Sequence, residues 1–125
     1  MLWKEFQDKM LESFGRNFFC VDDLHFNVKK EIRVGECVEF DDCQILQYLR
    51  SLHAMEGNLC IITDWCYKKN EGPFIVDANE LGQFVNTYKM MYGEAFYSTD
   101  IVIINFEKKL LWVFFHEGIY WLSEG

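Results

Sequence analysis

The chain has 125 residues, 50% hydrophobic and 18% aromatic (12 Phe, 6 Tyr, 4 Trp), and carries a formal net charge of −8. That apolar content excludes a disordered chain and supplies a core without metal or disulfide staples. The acid excess argues against direct nucleic-acid binding, because a phosphate backbone rewards Lys and Arg.

One proline and eight glycines leave no room for a linker, so a single globular domain over 1–125 is expected. Charges interrupt the apolar pattern of the first eight residues, so no signal-peptide core is read there. No apolar run approaches the roughly 18 residues of a membrane span. Five cysteines, an odd number without a dense framework, are expected as free thiols in a reducing cytosol, most of them small buried hydrophobes.

Trp3, Phe6, Met10 and Phe14 fall on one stripe and predict a helix over residues 3–14, with Gly15 at its C′ position. Phe18–Val21 has strand character, Leu24–Val28 is weakly extended, and Ile32, Val34, Val38 and Phe40 alternate through 29–40, interrupted by Gly35. Asp41 or Asp42 caps a second helix with Ile45, Leu46, Leu49 and Leu52 on its buried face, ending near Met55–Gly57. Asn58–Trp65 reads as a strand buried on both faces, Tyr67–Gly72 as a loop, and Pro73–Val76 as a brief extended piece. Asp77 with Glu80 predicts a capping box for a third helix that Gly93 ends. The residues 100–106, 110–115 and 119–122 are three strands joined by short turns. The expected class is α+β, with about three helices packed on one face of a mainly antiparallel sheet that ends in a C-terminal three-strand meander.

Chemistry-bearing motifs are scarce. His25, His53 and His116 are not spaced for a local zinc pair, and five residues separate Cys37 from Cys43 and Cys60 from Cys66, too many for a C-x-x-C motif. Phosphate-binding glycine loops and a G-x-S-x-G elbow are absent from the sequence. No catalytic residue, metal ligand or cofactor is expected. What remains is acidic: Glu36, Glu39, Asp41 and Asp42 fall within seven residues, Asp22-Asp23 is a second focus, and Asp64, Trp65, Tyr67 and Glu71 form a third. These acids are read either as a solvated, helix-capping surface or as an aromatic-edged patch that receives Lys and Arg from a protein partner. Carboxylates that hold a metal for catalysis are the less favoured alternative.

The C-terminal quarter adds a resemblance. The run from Ser98 to Phe106, followed by Leu111-Trp-Val-Phe-Phe-His-Glu-Gly-Ile-Tyr-Trp, resembles the closing hairpin of small bacterial immunity proteins of polymorphic-toxin and contact-dependent growth inhibition systems. The matching positions are Asp100–Ile104, Trp112 and His116-Glu117, which that family would use to build its fold. The resemblance implies a cytoplasmic, non-enzymatic inhibitor that blocks the active site of a cognate toxin domain, often a basic nuclease, without nucleic acid or membrane as its own ligand. The expected contact residues are Glu36, Glu39, Asp41, Asp42, Asp64, Trp65, Tyr67 and Glu71. The alternatives are an acidic nucleic-acid mimic that inhibits a defence protein and a small metal-dependent enzyme.

Overall fold

A computed structural model describes residues 1–35, 41–97 and 100–125. Its centre is set by β4 (Ile101–Asn105) and β5 (Leu110–Phe115), which are apolar along nearly their whole length. Strands without polar alternation need cover on both faces. They lie inside a six-stranded sheet with β1 (Val28–Arg33), β2 (Asn58–Ile62), β3 (Phe74–Asp77) and β6 (Ile119–Glu124), in the order β1-β6-β5-β4-β2-β3. Every neighbouring pair is antiparallel, and β4, β5 and β6 form the expected meander.

The α+β class and the antiparallel sheet are as the sequence suggests, but the helices divide between the two faces. Leu59, Ile61, Ile101, Ile103, Trp112 and Phe114 meet α2 (Asp42–Leu52) and α4 (Leu81–Tyr92) through Ile45, Leu49, Leu81, Val85 and Tyr88. Cys60, Ile62, Val102, Ile104, Leu111 and Val113 point the other way, onto Phe6 and Met10 of α1 (Trp3–Phe14) and onto Val21 and Leu24. No helix among the described residues is long and apolar enough to cross a membrane.

Several local expectations are corrected. Phe18–Val21 is not a strand: Val21–Leu24 forms a 3₁₀ turn, and the Asp23 carboxylate accepts from Phe19 N (2.9 Å) and Cys20 N (3.0 Å) in place of a ladder. The Gln7 side-chain amide pairs with both backbone groups of Phe18, accepting from its N–H at 2.9 Å and donating to its carbonyl. This clamp turns Phe18 into the core, edge-on to Phe6, and leaves Phe19 82% exposed. Strand β2 stops at Ile62, and Asp64–Lys68 winds into a short helix, α3, where strand and loop are expected from sequence. Helix α2 ends at Leu52, earlier than Met55–Gly57, because His53 at the C-cap is fully extended (φ −167°).

At the third helix, Asp77 caps Asn79 N at 2.8 Å within a 3₁₀ turn, Ala78–Glu80, and α4 begins after it without a side-chain cap, so the capping box does not form as expected. Gly15 and Gly93 end α1 and α4 in the left-handed conformation, as predicted. Of the four described cysteines, Cys60 and Cys66 are buried and Cys20 and Cys43 are exposed, so burial holds for half of them.

Two glycines separate the cost of conformation from the cost of space. Gly118 turns the β5–β6 hairpin at φ +77°, and a Cβ there would lie 2.1 Å from the Gly35 backbone oxygen. Gly15 has a similar φ of +68° with nothing within 4 Å. Gly15→Ala should cost about 1 kcal/mol for its left-handed φ alone, and Gly118→Ala should cost clearly more in urea unfolding. Equal losses would show that the contact with Gly35 is slack.

Candidate functional site

The antiparallel register collects the candidate residues at one end of the sheet. Strands β2 and β5 run out toward that end, while β4 and β6 start from it. Helix α3 therefore follows β2 there, the 93–97 connection and Asp100 precede β4, and His116 sits on the turn after β5. Asp42, at the start of α2, reaches the same end through the 93–97 connection, with Asp41 one residue before it.

Glu36 and Glu39 lie outside the described residues. The other six expected contact residues fall into two groups. Asp41 is the N-cap of α2 and accepts from Gln44 N at 2.7 Å. Asp42, one residue inside the helix, accepts from Phe96 N at 2.8 Å and Tyr97 N at 3.0 Å, pinning the connection that leads into β4. Both carboxylates thus satisfy backbone donors that would otherwise be unpaired.

The second group is α3 and its flank. Asp64 accepts the Lys68 ammonium at 3.4 Å, one turn apart, and Lys68 also reaches Glu94 at 2.8 Å. The Glu94 hydrogen bond, then its charge and that of Asp64, raise the Lys68 pKa above the ordinary lysine value. Trp65 is half-buried against Tyr92, with ring centroids 5.2 Å apart, and its indole N–H donates to Glu71 Oε2 at 3.3 Å. Lys69 lies 5.1 Å over the Trp65 ring.

Tyr67 stacks on Trp3 at 5.3 Å and 14° and keeps 45% of its surface exposed. Partial burial, then the neighbouring Cys66 and Asp100, push its phenol pKa upward, so it stays a neutral donor. Of the other aromatics at this end, Phe96 is fully buried and Tyr97 half-buried; they belong to the core and its margin.

The sequence does not anticipate what lies beside Tyr67. Phe19 just before the 3₁₀ turn, Asp22 within it, Tyr67 from α3, Asp100 just before β4, and Phe115 and His116 at the end of β5 line one surface cleft of about 350 Å³. Asp100 Oδ1 accepts from both the backbone N–H of His116 (2.8 Å) and its Nδ1 (3.1 Å), fixing the ring at the cleft wall. Cys20 lines the same cleft, with its thiol against the backbone and carboxylate of Asp23. Cys60 and Cys66 lie in the core, where burial raises both thiol pKa values. The signal available in the sequence is Asp23, three residues after Cys20, where an Asx-type turn competes with a strand.

Among the described residues, no three His, Cys, Asp or Glu side chains come together as a metal site. Comparison with protein-family models, curated proteins and solved structures finds no match to this chain.

Two stability measurements check these roles. Asp42→Ala strands the N–H groups of Phe96 and Tyr97 and should cost about 2 kcal/mol, against about 1 kcal/mol for removing the Asp41 cap; the reverse order would contradict the assignment.

Asp23 gives a pH test. The backbone N–H groups of Cys20 and then Phe19 lower its pKa below the ordinary 3.8. A lowered folded pKa means stability that is present above 3.8 and lost as pH falls through the folded value. The stability gap between wild type and Asp23→Ala should be constant at neutral pH and close in acid. A gap that persists at the lowest pH would remove the carboxylate as its source.

Proposed function

We propose that this chain neutralises a basic protein partner by covering its active-site groove, as an immunity protein does for its toxin. It binds and does not transform, and it acts in the cytoplasm, where its thiols stay reduced. The observation that carries the reading is one end of a packed sheet that brings Asp64, Glu71, Glu94 and Asp100 together with Tyr67 and Trp65, with Asp42 on the connection that leads into β4. Aromatic anchors with a carboxylate surround are the make-up of a surface that receives Lys and Arg. An overall charge of −8 steers such an encounter at long range. The C-terminal hairpin resemblance agrees with that use.

The internal pairing refines which acids act on a partner. Asp41 and Asp42 hold backbone, and Asp64 and Glu94 share Lys68. Among the described residues Glu71 is tied only through the Trp65 indole, so it is the better carrier of attraction outward.

The test takes the protein encoded immediately upstream, expected to end in a basic nuclease-type domain, and assays its activity with and without an equimolar amount of this chain. Activity should be abolished, and binding by calorimetry should weaken steeply as salt rises. Glu71→Lys should slow association and reduce the salt slope while leaving the unfolding midpoint in place. Toxin activity that is unchanged at saturating amounts of the chain would end the reading.

A further inference from the structure

The geometry points to the Phe19–Tyr67 cleft as the seat of a single arginine side chain presented by the protein partner. This rests on the proposed binding function and names the chemistry that its surface would take. The cleft of about 350 Å³ continues, across Phe19 and Tyr67, into a second depression of about 230 Å³ floored by Trp3 and Phe18. Together they are lined by the rings of Trp3, Phe18, Phe19, Tyr67 and Phe115. Phe19 stands 82% exposed, and its ring makes no aromatic contact among the described residues.

Charge decides the occupant. Asp22 is exposed, and its carboxylate makes no hydrogen bond or ion pair among the described residues. Asp100 uses Oδ1 for His116, and its Oδ2 has no partner among the described residues. Among the described residues, no Lys or Arg lines either depression. Arg16, which lines a neighbouring depression together with Phe19 and Asp22, is held 4.1 Å over the Phe26 ring. A slot with aromatic walls and available carboxylate oxygens fits a cation, and a planar guanidinium better than an ammonium. It can lie flat against a ring while its edge donates to carboxylates, and it is less strongly hydrated.

The seat also explains the local construction. The Gln7 clamp and the Asp23 cap together hold Phe18 inward and Phe19 outward, so the exposed ring is positioned before any partner arrives. Pre-positioning an anchor lowers the entropy lost on binding.

The experiment is an NMR titration of ¹⁵N-labelled full-length chain with three probes: acetyl-Gly-Arg-Gly-amide, its lysine analogue, and its citrulline analogue, which keeps the shape and loses the charge. The expected result is shifts confined to the amides of Phe19, Cys20, Asp22, Tyr67 and His116, strongest with arginine, weaker with lysine, and absent with citrulline. Asp22→Asn and Phe19→Ala, both at exposed positions, should each raise the apparent dissociation constant at least fivefold without moving the unfolding midpoint.

Shifts spread over exposed acids far from the cleft, such as Glu56 and Glu107, would overturn the seat, as would equal binding of citrulline. If the same amides shift on concentrating the protein alone, the occupant is a second copy of this chain and the arginine assignment falls. A toxin domain that binds wild type and the Asp22→Asn and Phe19→Ala variants with equal affinity overturns the seat and leaves the proposed function standing. A toxin domain that does not bind wild type removes the function, and the peptide titration alone then decides the seat.

Discussion

The two-sided apolar character of β4 and β5 is the constraint from which the architecture follows. Ile101, Ile103 and Trp112 on one face, and Val102, Ile104 and Leu111 on the other, are all essentially inaccessible to water. A sheet with two such faces cannot close against a single helical layer. Helices α2 and α4 cover one side, and α1 with the Val21–Leu24 turn covers the other. With both faces occupied, what the sheet itself leaves uncovered is its edges and ends. The β1 edge carries Lys29, Lys30 and Arg33 on exposed positions, a pattern that discourages pairing with another strand. The end bearing α3 holds the Phe19–Tyr67 cleft.

How far the sequence is legible depends on whether a signal is periodic or local. The stripe of α1, the buried face of α2, the C-terminal meander and the left-handed glycines after α1 and α4 are read correctly, because each is a repeated pattern or a stereochemical requirement. The placement of helices on one face comes from the habits of the class, although the continuous apolar runs of β2 and β4 already demand cover on both sides. The errors at Phe18–Val21 and Asp64–Lys68 share a cause. Short segments rich in aromatics carry β propensity, yet Asp23 and the Thr63 cap offer the backbone partners that a ladder would otherwise supply. The cleft was illegible for another reason: its walls come from positions 19–22, 67, 100 and 115–116, which only the strand order brings together.

Charge count and surface potential also separate here. The acids that stand out in the sequence as a cluster, Asp41 and Asp42, are consumed by Gln44, Phe96 and Tyr97. Asp64 and Glu94 are tempered by one lysine. Asp22, which stands next to a capping residue of the same type, is left facing solvent, whereas its neighbour Asp23 is turned inward on two amides. Adjacent identical residues thus do opposite things, and only the turn geometry tells them apart.

The dependence of the exposed end on strand termini has an evolutionary consequence. Residues 19–22, 64–71, 94–97, 100 and 116 lie beyond the paired stretches of the ladder. A descendant of this chain can exchange Phe19, Asp22 or Glu71 without altering one inter-strand bond, so under the proposed binding function partner choice would drift under mutation while the scaffold is inherited intact. Under that proposal the molecule would suit an arms race with a diversifying adversary. Its heritable identity would sit in the sheet, and its allegiance in a handful of side chains at one rim.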